Sequence, residues 1–408
     1  MTASAQEETV RREKKQTLSM RMPKGYDRWI YFSMLFLIGF GILMIASASM
    51  GLEVGDSGYL LKTVVKQIIF GIAGYIAVLV LAGRFRLEWL RSMNFLFVIG
   101  ITGFALVFTL AFSSAGGAQA WIRLPIPGIE VSIQPSEFAK IMAILIVAAY
   151  LGDVKVQFKT TWLLVRRPVY ILLAYVFIIL VLESDFGSAA VLAAISYICF
   201  LIPSNKQLRH MQRGMVIGLA VILGLAVFML TPYGEAIIGM LPLQEYQINR
   251  IYSSINPFSD QYGSGYQLIN GLVSFASGGW FGVGFGNSVR KYTNFPAANT
   301  DFILAIIVEE LGFIGFLMIL VPYCIIIFRL MNYALKIRNE KAKIILIGVA
   351  MYFLLHFILN VGGVTGLIPL TGVPLLMISA GGSSTLAAMS ALGIAQAIIS
   401  RYKRGLIE

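Results

Sequence analysis

The sequence predicts an all-α fold: a polytopic membrane protein built as a bundle of ten transmembrane helices. Three observations carry this. Hydrophobic residues make up 58% of the 408 residues and charged ones only 13%. The mean hydropathy is +0.80. Apolar runs near the length of about 20 residues that a helix needs to cross a bilayer recur along the chain. A soluble domain is nearer half apolar and a quarter charged, so a soluble enzyme, a disordered protein and a disulfide scaffold are excluded together. The two cysteines, Cys199 and Cys324, sit inside apolar runs and do not read as a disulfide framework.

Residues 1–27 are polar and basic and read as a disordered cytoplasmic tail. The rest, 28–404, reads as one membrane domain. Its ten runs lie near 29–50, 64–83, 93–112, 135–151, 169–183, 187–203, 214–232, 302–328, 344–364 and 379–400. Ala46-Ser47-Ala48-Ser49 could mimic a signal-peptide cleavage site, but the run before it is too long and many more follow. The fifth and sixth runs are separate only if Glu183-Ser184-Asp185-Phe186-Gly187 forms a turn. With the N-terminus inside, 25 of the 32 Lys and Arg fall in the tail, the inner loops and the C-terminus. Both termini are therefore expected in the cytoplasm. The same asymmetry accounts for the net charge of +12 without nucleic acid. One outer loop, 233–301, is long, rich in aromatic residues and glycines, and expected to hold short interfacial helices. Tyr266, Ile269, Leu272 and Val273 have helical spacing within it.

No Walker loop, zinc spacing or dinucleotide fingerprint is present, and neither a nucleotide nor haem is expected. The informative residues are polar groups at membrane depth, which are costly there. Glu137 and Lys140, in Gln134-Pro135-Ser136-Glu137, share a helix face and read either as an internal ion pair or as a headgroup site. Glu183 and Asp185 either cap the next helix or face a site. Arg250 offers a fork-shaped cation for phosphate or snorkels among headgroups. Asp301, at the entry to the eighth run, is either the N-cap of that helix or a functional acid. Glu309 lies eight residues on, about 12 Å deeper. It and Glu310 need a cationic or wet neighbour, and Lys140 is the expected partner of one of them. His356 and Asn360, four apart, read as interhelical hydrogen bonders. The glycines and prolines of 362–374 and Ser379–Ser384 either line a cavity or allow close helix packing.

Taken together these motifs resemble the SEDS family, the FtsW/RodA/SpoVE proteins of bacterial shape, elongation, division and sporulation. The resemblance covers about 28–400. It rests on Trp121-Ile122-Arg123, Gln134-Pro135-Ser136-Glu137 with Lys140, Asp185-Phe186-Gly187, Arg250-Ile251 with Asn256-Pro257-Phe258, Gly265-Tyr266-Gln267, Thr300-Asp301-Phe302-Ile303 with Glu309-Glu310-Leu311-Gly312, and Gly366, Pro369, Thr371-Gly372 with Gly381-Gly382-Ser383-Ser384. The first outer loop departs from the family pattern, with Ala120 where an Arg usually precedes the Trp. The Thr-Asp-Phe-Ile-Leu-Ala form and the basic tail look more like the FtsW division branch.

The resemblance implies a peptidoglycan glycosyltransferase that polymerises lipid II at the outer face of the cytoplasmic membrane. It implies a class B penicillin-binding protein (a transpeptidase) and other divisome or elongasome membrane proteins as partners. Asp301 matches the family's essential acid and would act as general base in an inverting reaction that releases undecaprenyl diphosphate. Lys140, Glu137, Arg250, Asp185, Glu309 and Ser383 would bind substrate, with a divalent ion, Mg or Mn, as a further expectation. The alternatives are a lipid II flippase or transporter and a non-catalytic division scaffold.

Overall fold

The computed structural model describes residues 21–53, 58–114, 118–126, 129–154, 156–229, 231, 245–263, 265–293 and 295–408. Twelve α-helices run through them in chain order: α1 Arg28–Glu53, α2 Tyr59–Arg84, α3 Met93–Phe108, α4 Pro135–Leu151, α5 Thr161–Phe177, α6 Phe186–Leu201, α7 Arg209–Met229, α8 Glu245–Ile255, α9 Tyr266–Gly278, α10 Ile303–Lys336, α11 Glu340–Val364 and α12 Gly382–Lys403. Seven of these helical stretches are long and apolar enough to cross a membrane, namely those built on α1, α2, α3, α5, α10, α11 and α12. α4 and α6 have only 17 and 16 residues.

α4 shows how burial substitutes for length. Every residue from Ala139 to Ala148 is buried. The helix is packed against α3, α5, α6, α11 and α12. A helix enclosed by protein need not span the full hydrocarbon thickness to keep its ends satisfied. α12 lies along α2 in the most extensive helix pair of the structure. Gly74 fits under Met389 at their crossing, where an added Cβ would sit 2.3 Å from its sulfur.

Three features depart from the expected layout. First, the fold is not wholly helical: β1 Ile122–Ile126 and β2 Ile129–Ile133 form an antiparallel hairpin with Arg123 opposite Ser132. Second, the end of the basic tail is not disordered. Asp27 is buried, its Oδ1 accepts the Ile30 amide at the start of α1, and Arg329 of α10 binds it by a charged hydrogen bond. The Ser400 hydroxyl donates to the Lys24 carbonyl at 2.7 Å. Residues 1–20 of the expected tail lie outside the described residues. Third, the outer segment is folded into the bundle. The spacing of Tyr266, Ile269, Leu272 and Val273 does produce a helix, α9, but it packs on α10, with Gly271 against the Phe302 ring and Gly278 against the Val308 carbonyl. Residues 232–244 of the same segment lie outside the described residues.

α10 is broken at Gly312, whose φ of 65° and ψ of −159° no helix contains. The backbone of 279–284 fills the break. Val283 N and Gly284 N donate to the Glu309 and Glu310 carbonyls, while Phe313 N donates to the Gly279 carbonyl. The freed helical groups are thus satisfied inside the protein, as a broken helix at membrane depth requires. A Cβ at residue 312 would lie 2.4 Å from the backbone of Trp280, so only glycine fits.

Candidate active site

The expected fifth-to-sixth turn brings two acids to different places. Asp185 is the N-cap of α6, accepting the Ser188 amide at 3.0 Å through Oδ1. Its Oδ2 accepts from Gln134 Nε2 at 2.8 Å, which ties the start of α4 to the start of α6. Glu183 turns the other way, is buried, and accepts from the Thr109 hydroxyl at 3.1 Å. Ser383 also works on α4. Its hydroxyl accepts the Gln134 amide at 2.9 Å and donates to the Ser132 carbonyl, clasping β2 to the helix.

One turn into α4, Lys140 Nζ donates to Glu137 Oε1 at 2.6 Å, and both side chains are 1% exposed. The Tyr352 hydroxyl of α11 donates to the second Glu137 oxygen at 3.2 Å. Lys140 therefore does not pair with the acids of α10, as the sequence suggested. Those acids have their own partners. Glu310 takes Lys291 at 2.9 Å and the Ser47 hydroxyl at 2.7 Å. Glu309 takes the Ser288 hydroxyl at 2.6 Å and the Ser274 hydroxyl at 3.2 Å. Lys291 went unrecognised because it looked like one more outer-loop cation, and Tyr352 because it lies in an apolar run.

Asp301 is not the N-cap of α10. That position is Phe302, without a side-chain cap bond. The three residues before Phe302 are instead pinned by their carbonyls. Ala380 N donates to Asn299 O at 2.9 Å, the Ser379 hydroxyl to Thr300 O at 2.8 Å, and Asn360 Nδ2 to Asp301 O at 2.9 Å. His356 meets the Pro374 carbonyl at 3.1 Å. Asn360 and His356 thus hold the backbone of the non-helical segments at Asp301 and Val373–Pro374, not another helix as their spacing suggested. The Asp301 carboxylate itself accepts no hydrogen bond among the described residues.

It faces a cavity of about 450 Å³, lined by Trp121, Gln134, Glu137, Lys140, Asp185, Arg250, Thr300, Asp301 and the segment Pro369–Pro374. Five sequence-selected residues, Glu137, Lys140, Asp185, Arg250 and Asp301, meet here; Glu309, Glu183 and Ser383 do not line it. Arg250, on α8, is exposed, and its Nη1 donates to the Leu370 carbonyl at 3.2 Å. Gly372, at φ +69°, lies between the two charges. A methyl group there would sit 3.7 Å from both Arg250 Nη1 and Asp301 Oδ2. Thr371 adds a buried hydroxyl with no hydrogen-bond partner among the described residues. Burial raises the Asp301 carboxyl, Arg250 opposes this and Asp185 adds to it, leaving the group at about 6. Among the described residues no three His, Cys, Asp or Glu side chains converge in a metal-binding cluster.

The arrangement offers a raised carboxylate, two cations and an orphan hydroxyl in one recess. A family model described as cell cycle protein, FtsW/RodA/SpoVE, matches residues 28–404. A probable peptidoglycan glycosyltransferase FtsW from Coxiella burnetii is 31% identical over 387 residues, covering 94% of this chain and 97% of that protein. The Bacillus subtilis protein of the same name is 31% identical over 376 residues, 92% of this chain and 90% of its own. A chain from a peptidoglycan synthase complex superposes with a TM-score of 0.68 at 23% identity, covering 93% of this chain and 98% of its own. Thermus thermophilus RodA superposes at 0.63 with 21% identity, covering 92% and 97%. At such identities the two structures establish the fold alone. The matched span and the curated relatives establish more: this multi-pass helical membrane protein belongs to the FtsW/RodA/SpoVE family of cell cycle proteins.

Proposed function

We propose that the chain is a peptidoglycan glycosyltransferase that polymerises lipid II at the outer face of the bacterial cytoplasmic membrane, in the division branch of its family. The names of its relatives support the reaction class. The observation that carries the site is the pinned Asp301: its backbone is held at three successive carbonyls, while its carboxylate opens on a cavity shared with two cations. In this reading α4, α6 and α7 join the seven longer helices to make ten spans. Both termini lie in the cytoplasm, and the cavity opens outward.

The acceptor glucosamine 4-hydroxyl attacks the anomeric carbon of the muramyl diphosphate donor. Its proton passes to Asp301 as the new C–O bond forms. The bond to the diphosphate oxygen breaks, undecaprenyl diphosphate leaves, and the configuration inverts. A carboxyl near 6 is mostly ionised at neutral pH, yet a stronger base than an ordinary aspartate. Negative charge grows on the leaving diphosphate, where Arg250 supplies a planar fork. Lys140 gives one N–H to Glu137 and keeps two for phosphate oxygens. Glu137, Asp185 and Gln134 orient these groups, and the Thr371 hydroxyl is placed to bond the sugar. A divalent ion such as Mg²⁺ or Mn²⁺ is bound by one or two carboxylates plus substrate phosphates in comparable sites. Asp185 and Asp301 would be its protein ligands, and it would add positive charge beside the leaving group. Glu309 and Ser383 act as structural supports rather than substrate contacts.

The test is the purified protein with lipid II, alone and with a class B penicillin-binding protein, assayed for glycan chains. Chains that require the Asp301 carboxylate support the proposal. Movement of lipid II across vesicles without polymer would make the protein a transporter and overturn it.

A further inference from the structure

A second cavity, of about 640 Å³, lies at the opposite end of α4 from Asp301. On that helix Lys140, in the wall of the first, and Ala149, in the wall of the second, are about 14 Å apart. Four cations line it: Arg91 from the turn after α2, Arg166 and Arg167 from α5, and Lys341 from the first turn of α11. Asp153 is the one carboxylate in its wall, and its Oδ1 is engaged by the Glu340 amide at 3.1 Å. Lys341 is the unusual member. It is only 4% exposed, and its stem is pressed over Gly152, where an added Cβ would lie 2.5 Å from Lys341 Cγ. Its ammonium makes no ion pair or hydrogen bond with a described residue. A buried cation is costly without an anion; Asp153 and Glu88 act on it only at a distance, and it lines a recess that three arginines share.

The rest of the surface says what kind of anion fits. Arg166, Tyr170, Leu173 and Phe177 lie on one face of α5 at helical spacing, and all four are exposed. The stripe runs about 16 Å along the helix, with the guanidinium at its head. Trp162, one turn before Arg166, is 51% exposed and packs edge-on against Tyr170, as aromatic residues do at a headgroup level. Charge at the mouth and a continuous apolar track leading from it match an amphiphile, not a small soluble ion.

We propose that this cavity binds the phosphate of an anionic phospholipid in the adjoining leaflet, with Lys341, Arg166 and Arg167 on the headgroup and an acyl chain along Tyr170, Leu173 and Phe177. In the orientation argued above this is the cytoplasmic leaflet, so the site is remote from the lipid II cavity and independent of it. A juxtamembrane cation contributes about a five-fold gain in affinity for an acidic lipid.

The experiment is native mass spectrometry of the full-length protein in detergent, titrated with phosphatidylglycerol, with phosphatidylcholine, and with phosphatidylglycerol in the presence of glycerol 3-phosphate. The wild type should retain one phosphatidylglycerol more tightly than any phosphatidylcholine, and equimolar glycerol 3-phosphate should not displace it. Arg166→Gln/Arg167→Gln should weaken that first binding about 25-fold, and Lys341→Met about five-fold or more, with phosphatidylcholine unaffected. The double arginine variant alters exposed residues only, so it stays informative should Lys341→Met fail to fold. Unchanged phosphatidylglycerol affinity in the double variant would overturn the proposal. Displacement by glycerol 3-phosphate would also overturn it, by assigning the recess to a small soluble phosphate.

Discussion

Replacing Asp301 by Asn separates its chemistry from its structural place. The substitution keeps the shape and removes the charge, and the backbone carbonyls that pin residues 299–301 are untouched. Two opposite effects are expected. A positioned general base contributes about 10²–10⁴-fold in rate, so glycan polymerisation should fall by at least about 100-fold. Stability should move the other way. Burial lifts the carboxyl from 3.8 to about 6, a cost of about 3 kcal/mol in holding it ionised. The unfolded chain releases this proton near 3.8 and the folded one near 6. The wild type is therefore penalised increasingly above pH 4, and fully above about pH 6. Asp301→Asn should melt higher than the wild type at pH 7.5, and the gap should vanish near pH 4. Wild-type activity should fall about ten-fold per unit as the pH drops below about 6, where the base is protonated. The assays are lipid II polymerisation and thermal unfolding of the same preparations. Retention of more than a tenth of the rate would refute the base assignment. A variant that is inactive but melts lower at pH 7.5 would refute the electrostatic argument.

Lys140→Ala strands the buried Glu137 carboxylate and should destabilise the protein by about 3–5 kcal/mol. Glu137→Gln/Lys140→Met should recover the melting temperature but not polymerisation, and full recovery of both would make the pair purely structural. Arg250→Ala removes the donor to the Leu370 carbonyl and the cation that offsets Asp301, so it should cost about 1 kcal/mol of stability while raising the KM for lipid II at least ten-fold. Arg250→Lys should rescue it only in part, because an ammonium lacks the fork; full rescue would refute that role. Gly312→Ala should abolish the folded protein, read as loss of a monodisperse peak in detergent, since its Cβ overlaps the Trp280 backbone. In a Cys324→Ser background, Tyr262→Cys should react with an impermeant thiol reagent outside intact cells and Arg209→Cys should not. The reverse would overturn the proposed orientation.

How far the sequence could be read depended on whether a residue's partner was nearby in the chain. Glu137 and Lys140 are one helical turn apart, and their pairing follows from helix geometry alone. Asp185 as a cap and the helix over Tyr266–Gly278 were legible for the same reason: each is a local pattern. The α10 acids were not. Glu310 finds Lys291 and Ser47 across 19 and 263 residues, and nothing in a run of apolar residues indicates which distant cation closes on a buried carboxylate. The sequence correctly required a partner there and chose the wrong one.

The same limit explains Asp301. An acid before an apolar run reads as an N-cap, because that is the commonest local use of the residue. What removes Asp301 from that role is non-local: Asn360, Ser379 and Ala380, 59 to 81 residues beyond the carbonyls they bind, hold the backbone so that Phe302 occupies the cap position. Among the described residues the carboxylate is left without a hydrogen bond, in a wall shared with Arg250 and Lys140. A fold that fixes a backbone at three points, while no described residue gives its one charged side chain a hydrogen bond, spends stability there. The hydrogen bonds at Glu309 and Glu310 show that the same helix can satisfy its acids fully where nothing has to bind. The contrast between satisfied acids deep in α10 and an unsatisfied one at its mouth is the strongest internal argument that Asp301 is kept for a substrate.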